Sequence, residues 1–141
     1  MLYSQNSISS DAAMDLVQRA LGHAKGQGWH VAVAVVDASG VVLALQRMDG
    51  VAPPIADFAL DKAYTAATMG KSTGAFADRM TSSPSLSLGL SNRARLIAWR
   101  GGLPVARDGA VVGGLGVSGA RDEEDIACAA AALSALGFDA G

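Results

Sequence analysis

The chain has 141 residues with a net charge of −2, is half hydrophobic, and contains 17 glycines, few aromatic residues and one cysteine. Its length predicts one domain with a single core, and its charge gives no indication of a nucleic-acid or membrane partner. The lone Cys128 excludes an internal disulfide and, with a polar N-terminus that lacks a signal-peptide pattern, favours a cytoplasmic location.

The first half of the chain predicts two helices on either side of a β-hairpin. Apolar residues recur at helical spacing after Ser9, and two Val-rich runs flank a turn-forming Asp-Ala-Ser-Gly segment. The expected elements are, in chain order, a helix from Ser9 or Ser10 to Gly26, a strand over Trp29 to Val36, a strand over Val41 to Arg47, and a helix from about Pro54 to Met69.

The second half predicts short helices followed by three strands and a final helix. Asp108-Gly109 is typical of a tight hairpin turn. The expected elements are a short helix from about Thr73 to Met80, a loop over Thr81 to Asn92 with room for a helical turn, short strands at Leu96 to Trp99 and Val105-Ala106, a strand over Ala110 to Val117, and a helix over Arg121 to Leu136 capped by Gly137.

Hairpins dominate this order, and no alternating strand-helix-strand run is present. The fold class that we expect is therefore α+β, with an antiparallel sheet of about five strands and helices packed on it.

A literal G-x-G-x-x-G occurs between Gly114 and Gly119 and suggests a dinucleotide site. The Rossmann arrangement needs a second parallel strand after the helix, and only five residues follow Leu136. Carboxylates at Asp122 to Asp125 would also repel a pyrophosphate. The sequence therefore favours glycines that let a strand pack closely and turn into the final helix, and we expect no affinity for NAD or ATP.

Four segments carry a resemblance to a known family. They are Arg47-Met48-Asp49-Gly50, Asp61-Lys62-Ala63-Tyr64-Thr65-Ala66, Gly101-Gly102-Leu103-Pro104, and Gly113 to Gly119 with the later Asp125. In this order they make the chain similar to the GlcG/HbpS-like proteins, from about Ser10 to Leu136. The family is also described as a haem-degrading or haem-binding domain and as the C-terminal domain of some cobalamin adenosyltransferases.

The resemblance implies a profilin-like sandwich with a five-stranded antiparallel sheet, and a dimer or larger ring. It also implies haem or cobalamin as the cofactor or ligand. The residue that ligates a tetrapyrrole is not part of the matching motifs, so the resemblance assigns no iron ligand here.

Lys62 breaks the hydrophobic pattern of the second helix because it falls in the middle of the apolar stripe. A lysine there either extends its head to solvent or pairs with Asp37 or Asp49. Alternatively it lies at the floor of a pocket, where it binds a carboxylate or acts as a catalytic base or Schiff-base nucleophile. Lys62 is therefore the candidate catalytic residue, and it matches the family's Lys-Ala-x-Thr-Ala pattern.

Four further residues are candidate ligand-binding groups. Arg47 and Asp49 follow the second strand, where an arginine suits carboxylate recognition or simply pairs with the aspartate. Arg100 precedes Gly101-Gly102 and is a candidate of the same kind. Ser118 lies between a strand and a helix, where backbone N–H groups can hold an anion.

No metal site is expected, because H-x-x-x-H and C-x-x-C motifs are absent. His23 and His30 are each expected to be structural, with iron or cobalt ligation as the alternative. Cys128 lies in an Ala-rich helix and is expected to be a small core residue.

Three functions remain open from the sequence. The first is a small-molecule-binding protein, with haem or another tetrapyrrole as the leading ligand by resemblance. The second is a cofactor-independent lyase, hydrolase or isomerase that acts on a carboxylate-bearing metabolite in a catabolic pathway and uses Lys62, Arg47 and Asp49. The third is a structural or accessory subunit.

Overall fold

The computed structural model describes residues 1–139, and this part of the chain forms five helices and four strands. The elements are α1 (Ser10–Gln27), β1 (Ala32–Asp37), β2 (Val42–Arg47), α2 (Pro54–Met69), α3 (Thr73–Met80), α4 (Pro84–Leu90), β3 (Gly102–Arg107), β4 (Ala110–Ser118) and α5 (Asp122–Ala135).

The four strands form one antiparallel sheet in the order β2-β1-β4-β3. Arg47 pairs with Ala32, and Ala32 pairs with Ser118 on its other side. The end of β2, the start of β1 and the end of β4 therefore lie at the same end of the sheet, and β3 begins beside them.

The sheet lies between two helical layers because β1 is apolar on both faces. Val31, Val33 and Val35 point into the larger core under α1 and α5. Ala32, Ala34 and Val36 point to the opposite face, where the alanines of α2 cover them. The fold is therefore a three-layer α+β arrangement with α2 alone on the centre of one face.

Glycines of β4 bring α2 into direct contact with the sheet. A Cβ atom added to Gly114 would overlap the carbonyl oxygen of Ala63, and one added to Gly116 would overlap that of Ala59. The backbone of α2 thus occupies the space beside the glycines of the G-x-G-x-x-G segment, as expected of glycines that permit close packing.

The expected fold class is confirmed, and α2 and α3 have the expected bounds. The segment after α3 differs, because residues expected to form a loop contain a two-turn helix, α4. Ser83 accepts a hydrogen bond from the N–H of Leu86, and Pro84 occupies the first turn, so local capping is sufficient to start this helix.

The expected strand at Leu96 to Trp99 is wrong, and the sheet has four strands rather than about five. The hydroxyl of Thr65 on α2 accepts a hydrogen bond from the N–H of Ile97 (3.0 Å) and donates one to the carbonyl of Arg95 (3.2 Å). The guanidinium of Arg95 also lies 3.9 Å from the centre of the Tyr64 ring. These contacts hold the segment against α2 in place of a strand partner.

Gly116→Ala tests the contact between α2 and β4. We expect it to destabilise the protein by about 1–3 kcal/mol or more, because the helix must move away from the sheet. Gly26→Ala is the matched control, since nothing lies within 4 Å of the added Cβ and alanine is the better helix former by about 1 kcal/mol. Urea denaturation measures both, and equal stability of the two variants would contradict the packing role of Gly116.

We also expect the protein to form a homo-oligomer of at least two chains. Val41, Val42, Leu88 and Trp99 are all exposed, and β2 and β3 are edge strands with unpaired backbone groups on one side. Light scattering at micromolar concentration should give at least twice the chain mass. A single species near 14.2 kDa would refute this expectation.

Candidate functional site

All five candidate site residues lie at the same end of the sheet, but the structure divides them among three places. Lys62 and Ser118 lie where β4 ends and α5 begins. Arg47 and Asp49 line a cleft beside α1. Arg100 contacts α3.

Lys62 joins the two helical layers through a buried ion pair. It extends from α2 past the end of the sheet, and its Nζ donates to the carbonyl of Val117 (2.9 Å) and to Oδ2 of Asp125 (3.3 Å). The other carboxylate oxygen of Asp125 accepts the N–H of Ala120 (3.0 Å). Lys62 is 3% exposed and Asp125 is 2% exposed, so a dissolved molecule does not reach the ammonium group in this conformation.

Burial shifts the pKa of each partner in the direction that favours its neutral form. Burial lowers the pKa of Lys62 and raises the pKa of Asp125, while the attraction between them opposes both shifts. Gly101 makes room for the pair, since a Cβ at this residue would lie 2.9 Å from Nζ of Lys62. The φ angle of Gly101 is +122°, which also favours glycine.

The interpretation that Lys62 extends to solvent or pairs with Asp37 or Asp49 is wrong. The carboxylate of Asp37 instead accepts the N–H groups of Ser39 and Val41 in the β1–β2 turn, and Asp49 is exposed. The partner is Asp125, which a linear pattern does not connect with Lys62 because 63 residues separate them.

Ser118 is buried at the end of β4, one residue after the carbonyl that Lys62 binds. Two backbone N–H groups shortly beyond it are already used within the protein. Those of Ala120 and Arg121 donate to the carboxylates of Asp125 and Glu124, which together cap α5.

Arg100 lies beside the N-terminal turn of α3, apart from Lys62. Its guanidinium donates to Asp78 at 2.9 Å. A Cβ at Gly74 would lie 2.5 Å from its Nη1, so Gly74 leaves the space that the side chain occupies. The Arg100–Asp78 pair is partly exposed and ties the start of β3 to α3.

Arg47 and Asp49 line a cleft between α1 and the end of β2, with a volume of about 450 Å³. Its polar groups also include Lys25 and His30, and Leu21 and Met48 form part of its apolar wall. The guanidinium of Arg47 donates to the carbonyl of Val51. Because Arg47 pairs with Ala32, its side chain leaves β2 on the α2 face of the sheet, although the residue lines the cleft.

Lys25 was not among the predicted site residues, and His30 was expected to be structural, with iron or cobalt ligation as the alternative. His30 lies just before β1 and is exposed. Met48 pairs with Val31 through backbone and thioether hydrogen bonds, which extends the hairpin and brings His30 beside the end of β2. The sequence contains one signal for Lys25. It follows Gln18 by seven residues, which places the two side chains on the same face of α1.

His23 does not line the cleft; it is half-buried with its ring centre 5.9 Å from that of Trp29. Cys128 is fully buried, and burial raises the pKa of its thiol to about 11, so the thiolate is scarce at neutral pH. Within residues 1–139, no three His, Cys, Asp or Glu side chains are grouped as metal ligands. No helix of this part of the chain is long and apolar enough to span a membrane.

The protein is a small α+β protein with a four-stranded antiparallel sheet, a glycine-rich β4, and α2 packed directly on that strand. Comparison with known proteins identifies its family. The chain matches the family described as "Haem degrading protein HbpS-like" over residues 8–134. It is 37% identical over 128 residues to an uncharacterised 15.0 kDa protein of the dhaT-dhaS intergenic region of Citrobacter freundii, with 90% of each chain covered.

Two solved structures extend this similarity to the fold. A double mutant of HbpS from Streptomyces reticuli is 34% identical with a TM-score of 0.86, covering 96% of this chain and 91% of that one. The protein in a PduOC–haem complex is 28% identical with a TM-score of 0.86, covering 95% and 98%. The chain therefore belongs to the HbpS-like family, which confirms the resemblance seen in its motifs.

Lys62→Met tests whether the buried pair is structural. The variant keeps the volume of the stem but leaves the carboxylate of Asp125 buried without its cation, and we expect a loss of about 3–5 kcal/mol in the free energy of unfolding. The double variant Lys62→Met/Asp125→Asn removes both charges and keeps an oxygen for the Ala120 N–H, so it should regain most of that loss.

A double-mutant cycle in urea supplies these values. If Lys62→Met leaves both stability and ligand binding unchanged, the ammonium group has neither a structural nor a ligand-binding role.

Proposed function

We propose that the protein binds haem, or another tetrapyrrole with carboxylate side groups, in the cleft between α1 and β2. The observation that carries this proposal is that an imidazole, His30, and a cation, Lys25, line the same cleft. The family description and the PduOC–haem complex support the choice of ligand.

The residues of the cleft fit the chemistry of haem. An exposed imidazole is a common axial ligand to iron, and cationic side chains pair with propionates. Leu21 and Met48 provide apolar surface for the macrocycle. The volume of about 450 Å³ lies within the usual range for small-molecule sites.

In this arrangement His30 would hold the iron, and Lys25 would pair with a propionate. When bound, haem supplies an iron centre whose reactivity depends on its axial ligand and on the polarity around it. The protein's contribution is to orient the ring and to neutralise its carboxylates. The carboxylate of Asp49 also lines the cleft and disfavours a propionate directly beside it.

His30→Ala should weaken haemin binding at least about tenfold and change the Soret band of the complex, because the iron loses an axial ligand. His23→Ala is the matched control, since His23 packs on Trp29 and does not line the cleft. Haemin titration followed by absorbance measures both. The proposal fails if wild-type protein gives no Soret band, or if the two variants bind alike.

A second proposal keeps the alternative of a cofactor-independent enzyme that acts on a carboxylate-bearing metabolite. The observation in its favour is the desolvated amine of Lys62, whose lowered pKa favours the nucleophilic neutral form. Since Lys62 is buried and bound to Asp125, access would require the Gly101 segment to move. Borohydride treatment with small keto acids tests this proposal, because only a Schiff base at Lys62 leaves a stable adduct that Lys62→Met lacks.

A further inference from the structure

A groove between α3 and α4 is lined mainly by apolar side chains. Its volume is about 440 Å³, which lies within the usual range for small-molecule sites. The large apolar residues that line it are Met69, Phe76, Met80, Leu86, Leu90 and Leu96. None of its lining residues belongs to the α1–β2 cleft that contains His30. The groove is therefore a separate feature of the surface.

Helical spacing directs the apolar side chains into the groove from both helices. Phe76 and Met80 are four residues apart and so share one face of α3. Leu86 and Leu90 share one face of α4 by the same spacing. The hydroxyl of Ser87 donates to the carbonyl of Met80 at 2.8 Å, which holds α4 to the end of α3. Because both pairs line the groove, the apolar faces of the two helices form its walls.

The protein itself leaves these apolar walls open to solvent. Phe76 is 2% exposed and forms the floor, but Met69, at the end of α2, is 42% exposed. α4 has seven residues and none of them is buried, although a short helix normally gains its stability by packing an apolar face. Apolar surface in a concave site is therefore left for a ligand, and the flexible methionine can adapt to its shape.

Of the described residues that line the groove, Arg93 alone is charged. Its backbone N–H donates to the carbonyl of Leu90 at 2.9 Å, which places it directly after α4. Among residues 1–139, the cations that form ion pairs are Arg19, Lys62, Arg95, Arg100 and Arg121. Arg93 is not one of them, and it is exposed, so its guanidinium can bind an anion from outside the chain.

The surface around the groove is cationic, although the whole chain has a net charge of −2. Asp78 is the only acidic residue in the segment 62–107, and its carboxylate accepts from Arg100 at 2.9 Å. Lys71 and Arg79 are exposed cations near Met69 and Met80 in the sequence. This distribution of charge favours an anionic ligand. It disfavours a second copy docked face to face, because like charges would meet.

We propose that the groove between α3 and α4 binds a small apolar molecule with a single anionic group, such as an aromatic or medium-chain carboxylate or sulfonate. The apolar body lies between the two helices, and the anionic group lies at Arg93. The inference goes beyond the proposed haem function and does not depend on it, because the two sites share no residue.

Two fluorescent dyes test both parts of this site, because they share a ring system and differ in charge. Anilinonaphthalene sulfonate carries one sulfonate, and phenylnaphthylamine is its uncharged counterpart. Arg93→Gln should weaken binding of the sulfonate about fivefold, near the upper range for an exposed ion pair, and leave the neutral dye unaffected. Met69→Gln should weaken binding of both dyes about fivefold, because each loses the same apolar contact.

Lys71→Gln and Leu88→Gln are the matched controls, since both residues are exposed and neither lines the groove. Leu88 follows Leu86 by two residues and so points to the other side of α4. Both control variants should bind the dyes as the wild type does. Haemin titration of Arg93→Gln and Met69→Gln should also match the wild type, which separates this site from the proposed haem site.

Three results would overturn the assignment. The first is wild-type protein that binds neither dye. The second is a control variant that weakens dye binding as much as the corresponding groove variant, which would indicate adsorption to the cationic face as a whole. The third is co-sedimentation with phosphatidylglycerol vesicles that Leu88→Gln abolishes, together with dye binding that Met69→Gln leaves unchanged. That combination would identify this face as a membrane-binding surface.

Discussion

The backbone of α2 lies directly on β4, and the rest of the fold depends on this contact. Gly114 and Gly116 have no Cβ, so the carbonyl oxygens of Ala63 and Ala59 approach the strand to a distance that any other residue would prevent. The close approach also explains why the fully covered α2 residues of this cluster are alanines, namely Ala59, Ala63 and Ala67. Few large side chains are buried on this face, and its stability depends on the fit of backbone against backbone.

That contact fixes the position from which Lys62 extends. Its ammonium group reaches past the end of the sheet to the first turn of α5, where Asp125 also caps the helix. A buried ion pair contributes little net stability, since desolvation offsets the attraction. Its effect is on geometry: α2, the Gly101 segment and α5 must take one relative arrangement for both charges to be satisfied. Among residues 1–139 no buried side-chain nitrogen or oxygen is left without a hydrogen-bond partner.

Structural features that depend on the local sequence pattern could be predicted from the sequence. The bounds of α2 and α3, the hairpin turns and the role of the β4 glycines follow from periodicity and turn chemistry. Lys62 was identifiable because a charge interrupted an apolar stripe. Its partner was not, since only the assembled fold brings Asp125 near it. The strand expected at Leu96 to Trp99 was wrong for the same reason, because a single hydroxyl, that of Thr65, competes for its backbone groups.

The two faces of the sheet differ in how much room they leave for a ligand. On the α2 face, the glycine contact removes the space between helix and strand. On the other face, α1 crosses β2 at the edge of the sheet, where Gly22 has nothing within 4 Å of its missing Cβ and Gln18 and Gln46 meet only through their side chains. A ligand can therefore occupy the α1–β2 cleft without disturbing the core, since the side chains that it displaces from water are already exposed. The same reasoning makes Lys62 a poor first contact for a ligand. Reaching it requires the breaking of a buried ion pair, whereas Lys25 and His30 are exposed and already line the cleft.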